Sequence, residues 1–235
     1  MKVAIIGYGK MGRTIEKILT QRNHEVVARF DREGIDRAQL RPADVAIEFT
    51  RPEAAVSNIS ACFQEDVPIV SGTTGWLAQY DEVAQLCKTH QGAMLYASNF
   101  SLGVNIFFAM NHKLAEVMNH YPGYDVSIEE IHHTQKLDAP SGTAISLAEQ
   151  IIENLERKEG WNLDEVQSKK QIIIKAERID AVPGTHRVKY HSDIDDIELV
   201  HTAHNREGFA LGAVLAAEFL QGRQGIYSMK DVLKI

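Results

Sequence analysis

The sequence predicts an α/β protein in two parts, a parallel-sheet domain followed by an α+β unit with an open mixed sheet. Three observations carry this. Short apolar runs alternate with helix-patterned segments over the first hundred residues, the spacing of strand-like runs changes after residue 104, and a glycine loop directly follows the first strand. Such βαβα order implies a parallel sheet covered by helices on both faces, with right-handed crossovers.

Val3-Ala4-Ile5-Ile6 is a short apolar run of the buried parallel-strand type. Met11, Ile15, Ile18 and Leu19 then recur at helical spacing across 11–21. Strands are expected at 25–30 and 44–49, a helix at 52–63, a strand at 67–70, a helix at 79–89 and a strand at 93–97. Four of these strands run into small or hydroxyl-bearing residues: Gly7-Tyr8-Gly9, Thr50-Arg51-Pro52, Gly72-Thr73-Thr74-Gly75 and Ser98-Asn99-Phe100-Ser101. All four turns should lie at the carboxyl edge of the sheet, where open α/β folds bind ligands.

Beyond residue 104, a helix is expected at 106–119 and a strand at 124–132. The helix at 142–158 carries Ile145, Leu147, Ala148, Ile151, Ile152 and Leu155 on one apolar face. Strand-like runs at 171–179, 186–191 and 197–203 complete an open sheet, and 160–169 reads as loop. The apolar helical segment 209–220 is placed to return to the first domain.

A chain of 235 residues with 44% hydrophobic and 24% charged residues has room for one large domain or two modest ones. The formal net charge of −7 argues against nucleic-acid binding, which needs a basic footprint. It also requires that an anionic substrate be drawn in by local cations. Cys62 and Cys87 lack disulfide-framework spacing, and the start runs straight into a strand, so a cytoplasmic protein with no membrane span is expected. His201 and His204 fall three apart in an expected strand, hence on opposite faces, and no Cys/His/Asp set has ligand spacing. No metal is expected.

The glycine loop Gly7-Tyr8-Gly9-Lys10-Met11-Gly12 has a mechanism. One glycine makes the tight turn, another lets backbone amides approach a pyrophosphate, and the third lets helix and strand pack closely. The following helix N-terminus presents free amides and a positive dipole end to phosphate. Asp31 ends the second strand at the spacing of the acidic residue that accepts ribose hydroxyls. The neighbouring Arg32 suits a 2′-phosphate, so use of both NADH and NADPH is expected.

The second chemical signal is Glu129-Glu130-Ile131-His132-His133-Thr134-Gln135-Lys136-Leu137-Asp138-Ala139-Pro140-Ser141-Gly142-Thr143-Ala144. On an extended strand His132 and His133 face opposite sides and so hold different jobs. An imidazolium can donate a proton near neutral pH, and Lys136 offers a cation or a second proton. Asp138 is placed to orient one of these groups or to cap the turn. Ser141, Gly142 and Thr143 open a helix whose hydroxyls and amides suit a carboxylate, although helix capping alone also explains Ser141 and Thr143.

With both motifs in place, the chain resembles the bacterial 4-hydroxy-tetrahydrodipicolinate reductases, formerly dihydrodipicolinate reductases, over essentially its whole length. The most specific match is Glu130-x-His132-His133-x-x-Lys136-x-Asp138-x-Pro140-Ser141-Gly142-Thr143-Ala144. Supporting matches are Gly7 to Arg13, Phe49-Thr50-Arg51-Pro52, Gly72-Thr73-Thr74-Gly75, Ala97 to Ser101, Gly184-x-His186 and His201-x-Ala203-x-x-Arg206. The resemblance implies a Rossmann-type parallel-sheet domain, residues 1–103 and 206–235, and a substrate-binding and tetramerisation domain, residues 104–205. It implies His132 as acid/base, Lys136 as second proton donor, and His133, Ser141, Gly142 and Thr143 as binders of a small dicarboxylate. Gly7, Tyr8, Gly9, Lys10, Met11, Gly12, Asp31, Arg32, Gly72, Thr73, Thr74, Ala97, Ser98, Asn99 and Phe100 would bind NADH or NADPH. The implied reaction is reduction of 4-hydroxy-tetrahydrodipicolinate, with loss of water, in the diaminopimelate route to lysine. It also implies a homotetramer. Because the two sites fall on different domains, closure about segments near Ser101 and Arg206 is expected.

Two other readings stay open at this stage. One is a dehydrogenase acting on an amino-acid-derived semialdehyde, which has no need of His132. The other is a non-catalytic nucleotide sensor, which binds dinucleotide and consumes none.

Overall fold

The computed structural model describes residues 1–165, 168–205 and 207–235; Val166, Gln167 and Arg206 lie outside the described residues. In chain order the elements are β1 (Lys2–Ile6), α1 (Lys10–Gln21), β2 (Glu25–Phe30), α2 (Arg37–Leu40), β3 (Val45–Glu48), α3 (Pro52–Gln64), β4 (Ile69–Ser71), α4 (Tyr80–Thr89) and β5 (Ala93–Tyr96). There follow α5 (Leu102–Met118), β6 (Asp125–His132), α6 (Gly142–Asn154), β7 (Gly160–Leu163), β8 (Gln171–Arg178), β9 (Gly184–His191), β10 (Asp196–Ala203), α7 (Glu207–Leu220), β11 (Gly225–Tyr227) and α8 (Met229–Leu233). The chain divides into two compact units, Met1–Leu102 with Glu207–Ile235, and Gly103–Arg206. No helix among the described residues is long and apolar enough to cross a membrane.

The first unit is a parallel sheet in the order β11-β5-β4-β3-β1-β2. Its strands are apolar on both faces because both are covered. Along β1, Val3 and Ile5 point into a core shared with Ile15 and Leu19 of α1 and with Ala213, Val214 and Ala217 of α7. Ala4 and Ile6 point the other way, into a core with Ile59 and Phe63 of α3 and Val83 of α4. The late helix α7 thus belongs to the first unit and completes one of its covering layers.

In the second unit the order is β10-β9-β6-β8-β7. Strand β6 runs antiparallel to β9 and parallel to β8, so the sheet is mixed. One face buries Val126, Ile128, Ile172, Ile174, Val188 and Tyr190 against Phe107 and Ala115 of α5 and Leu147, Ala148 and Ile151 of α6. The other face is open and charged, with Arg187 pairing Glu129 at 3.0 Å and Lys189 pairing Asp196 at 2.6 Å.

Several boundaries differ from the periodicity. Helix α5 starts at Leu102 rather than 106, although Gly103 is a poor helix former. A Cβ there would meet Nε2 of His201 at 2.8 Å, so close packing fixes that turn. Helix α6 stops at Asn154 rather than 158: Glu156 N donates to Asn119 Oδ1 at 3.1 Å, and Lys158 is drawn to Asp125 at 2.6 Å. The stretch expected as loop at 160–169 contains β7, which pairs with β8 and packs Trp161 on the core. His204 lies just past the end of β10, so the two-face argument for the pair His201 and His204 does not apply. Helices α2 and α8 and strand β11 are too short for periodicity to reveal.

Leu147 is fully buried in the second core. Leu147→Ala should weaken the fold by about 2–5 kcal/mol in urea denaturation, and an unchanged transition would show that α6 does not anchor that core.

Candidate active site

Parallel pairing brings the connections after β1, β3, β4 and β5 to one edge of the first unit, with Asp31 and Arg32 exposed just beyond β2 at the same edge. The glycines divide their work. Gly7 has φ +94, and a Cβ there would stand 2.0 Å from the carbonyl oxygen of Phe49. At Gly12 a Cβ would stand 2.4 Å from the carbonyl oxygen of Gly7, so helix and loop touch. At Gly9, by contrast, a Cβ would meet no protein atom within 4 Å. Gly9 is the N-cap of α1 and makes no side-chain cap, so the first-turn amides are open. That combination fits a dinucleotide phosphate: the bare position is the one a ligand needs.

Around it, Lys10 is exposed and Met11 half-buried. The Tyr8 ring has the guanidinium of Arg13 5.7 Å and that of Arg29 5.8 Å from its centroid, and its hydroxyl donates to Glu16. Arg29 also pairs with Glu16 and, ahead of Tyr8, holds that carboxyl below its usual range. Glu48, fully buried at the end of β3, ties the loops together. It accepts from Thr50 N at 3.1 Å, Ser71 Oγ at 2.8 Å and Thr73 Oγ1 at 2.7 Å, and from the Thr50 hydroxyl. The Thr73 hydroxyl is therefore spent within the protein, also accepting from Thr50 N at 2.7 Å, while Gly72 is half-buried and Thr74 exposed. After β5, Ala97 is half-buried and Ser98 exposed, Asn99 Oδ1 accepts from Ser101 N at 2.8 Å, and Phe100 is buried 5.6 Å from the Phe49 ring.

In the second unit the inner row of β6 reads Val126, Ile128, Glu130, His132, all buried. Apolar residues occupy one end of the strand and ionisable ones the other. The neighbouring strands do the same: His132 lies opposite Arg178 on β8, and Glu130 opposite His186 on β9. His186 in turn lies opposite His201 of β10. Glu130 is completely buried, accepts from Ser141 N at 3.1 and 3.0 Å, and pairs with Arg178 at 3.1 Å. The His132 and His186 rings stand edge to face with centroids 5.0 Å apart.

Burial pushes the His132 imidazole below its ordinary value; Glu130 opposes this, whereas Lys136 and Arg178 add to it. His186 is pushed down to about 3, first by burial and then by the neighbouring His132. His133 follows the strand end and is half-buried. Lys136 pairs with Asp138 at 2.8 Å, which in turn lowers the Asp138 carboxyl. Arg178 fastens this segment through the carbonyl oxygens of Lys136 at 3.3 Å and Asp138 at 2.5 Å.

Ser141 is the N-cap of α6: its Oγ accepts from Ala144 N at 3.2 Å and lies 3.2 Å from His186 Nε2. Its polar atoms face inward. Gly142 and Thr143 occupy the first helical positions, where amides have no intrahelical acceptor. The expected residues of this half-site thus gather at one end of the sheet, with Ser141 as support and Gly142 and Thr143 as the open donors.

Glu48, Arg178 and the inward role of His186 were not singled out from the sequence, since each acts only through cross-strand register. Neither was the grouping of Glu130, His132 and His186, whose ligand atoms lie within 4.8 Å of one another. Within this group the Glu130 carboxylate is already engaged by Arg178 and by Ser141 N.

A glycine-loop parallel sheet joined to a mixed sheet bearing buried acid/base groups defines a nucleotide-dependent oxidoreductase. Residues 1–100 match the family described as "Dihydrodipicolinate reductase, N-terminus" and residues 103–233 its C-terminus. The chain belongs to the dihydrodipicolinate reductase family. It is 53% identical to a 4-hydroxy-tetrahydrodipicolinate reductase of Christiangramia forsetii, over 99% of this chain and 98% of that one. With the enzyme of that name from Neisseria meningitidis serogroup C it shares 36% identity, over 83% and 74% of the two chains. A dipicolinate-bound dihydrodipicolinate reductase from Paenisporosarcina sp. TG-14 superposes with a TM-score of 0.79 at 25% identity, covering 97% of each chain.

Two tests follow from the geometry. Gly9→Ala should leave stability within about 0.5 kcal/mol yet weaken dinucleotide binding in a fluorescence titration, whereas Gly12→Ala should cost about 1–3 kcal/mol of stability. His186 is neutral in the fold down to about 3 but charges near 6.5 when unfolded. Its neutrality therefore costs nothing above that value, and stability falls as pH drops from there toward 3. His186→Asn, which cannot titrate, should flatten the decline of Tm between about pH 6.5 and 4; parallel declines would refute the burial argument.

Proposed function

We propose that the chain reduces 4-hydroxy-tetrahydrodipicolinate to tetrahydrodipicolinate with loss of water, in the diaminopimelate route to lysine. The observation that carries this is the clustering of His132, Lys136 and the free amides of α6 at one sheet end, in a chain matched along both halves by a single reductase family. The nicotinamide cofactor, NADH or NADPH, supplies the hydride when bound. Gly9 and the α1 amides would receive its pyrophosphate, Asp31 its ribose, Arg32 a 2′-phosphate, and the loops at Gly72 to Thr74 and Ala97 to Phe100 its nicotinamide end.

The chain's own residues then handle charge. Loss of the substrate's 4-hydroxyl as water leaves a conjugated C=N bond; hydride addition to it gives an enamine-like anion, to which His132 as imidazolium gives its proton. Lys136 and the Gly142 and Thr143 amides hold the substrate carboxylates, as charge-assisted hydrogen bonds to a helix start do. His133 contributes a further contact to substrate.

We also infer a cytoplasmic homotetramer assembled on the open face of the second sheet. Half-exposed Val200 of β10, opposite Arg187 on that face, supports this assembly, and the free cysteines Cys62 and Cys87 support the location.

Loss of NAD(P)H absorbance is the direct measurement, with the condensation product of pyruvate and aspartate semialdehyde as substrate. The wild type should turn over, and His132→Ala and Lys136→Ala should each lower kcat on the order of 10²-fold or more. Undiminished turnover in the double variant would remove both residues from the reaction.

A further inference from the structure

Glu130 carries no role in the reaction as set out so far. Its carboxylate lies between two imidazoles, with Oε2 3.7 Å from Nδ1 of His132 and 3.8 Å from Nε2 of His186. The His186 nitrogen already faces Ser141 Oγ at 3.2 Å. Nδ1 of His132, by contrast, is buried and has no hydrogen-bond partner among the described residues. On its far side Glu130 is pinned by Ser141 N and by the Arg178 guanidinium, so its position is set by β8 and the start of α6. What remains of its hydrogen-bonding capacity is directed at His132.

Building on the function proposed above, we propose that Glu130 is the positioning residue of the reaction: it keeps the hydrogen of neutral His132 on Nδ1, and becomes the counter-ion of the imidazolium. Closing the gap by about half an ångström makes the hydrogen bond. The ring's other nitrogen, Nε2, is then left for the substrate.

The charges around His132 make such a partner necessary. Glu130 faces it from β6, Lys136 and Asp138 from the segment after β6, Arg178 from β8 and His186 from β9, with His201 of β10 beyond His186. Two cations and burial oppose its protonation, and Glu130 is the leading group that favours it. A dicarboxylate adds negative charge on substrate binding, which favours the protonated ring in the loaded site. Such coupling places the proton on the enzyme when there is something to protonate.

The pH profile of kcat/KM tests this. An acid that must be protonated gives a rate that falls as pH rises through its pKa. Glu130→Gln removes the anion and should move that alkaline limb down by about one pH unit. It should also lower kcat on the order of tenfold at neutral pH, with KM for the nucleotide unchanged. Arg178→Gln removes a cation from the same group and should move the limb the opposite way, upward. Opposite displacements cannot arise from a general loss of packing, and the arginine variant decides alone if the glutamine one does not fold. Limbs that coincide with the wild type in the folded variants would overturn the assignment of Glu130 while leaving the reductase activity intact. A wild type that consumes no nucleotide with this substrate would overturn the function beneath it.

Discussion

A carboxylate with no access to water must be enclosed by donors, because an unpaired buried charge costs several kcal/mol. In the second unit that demand is concentrated on Glu130. To meet it, the start of α6 turns its Ser141 amide inward and Arg178 reaches across from β8. The same guanidinium grips the carbonyls of Lys136 and Asp138. One buried anion therefore sets the placement of a strand end, a helix start and the loop between them. Glu48 does similar work in the first unit, where it gathers Thr50, Ser71 and Thr73 around the ends of β3 and β4.

Both carboxylates sit near the carboxyl ends of central strands. Open α/β sheets bind ligands there because the backbone turns away and leaves unpaired donors. The second sheet adds a gradient along its inner face. Val126 and Ile128 lead into Glu130 and His132 on β6, while Ile172 and Ile174 lead toward Arg178 on β8. The apolar end packs under α5 and α6 and makes the sheet rigid. The polar end inherits that rigidity, so rings such as His132 and His186 are held in a dry, ordered setting without being part of the core.

Features that depend on local chemistry were legible in the sequence. The glycine loop declared β1, α1 and the turn between them because Gly7 and Gly12 stand where a Cβ would collide with backbone. The run from Glu129 to Ala144 declared a strand end bearing an imidazole, a cation and a helix start in order. What stayed hidden depends on register. Arg178 and His186 lie 48 and 56 residues beyond Glu130 and reach it only through strand pairing. Strand β7 and the early end of α6 are tertiary overrides, imposed by Lys158, Asn119 and the edge of β8. Local propensity does not report such partners.

In the resting protein Lys136 is already occupied by Asp138. Under the function proposed above, its hold on substrate would be an exchange of one carboxylate for another, nearly neutral in energy. An acid with a single charged arm gains little from that swap. A molecule with two arms would complete the exchange with one and use the α6 amides with the other, so in the proposed site the pairing of a lysine with its own neighbour would disfavour monoanions.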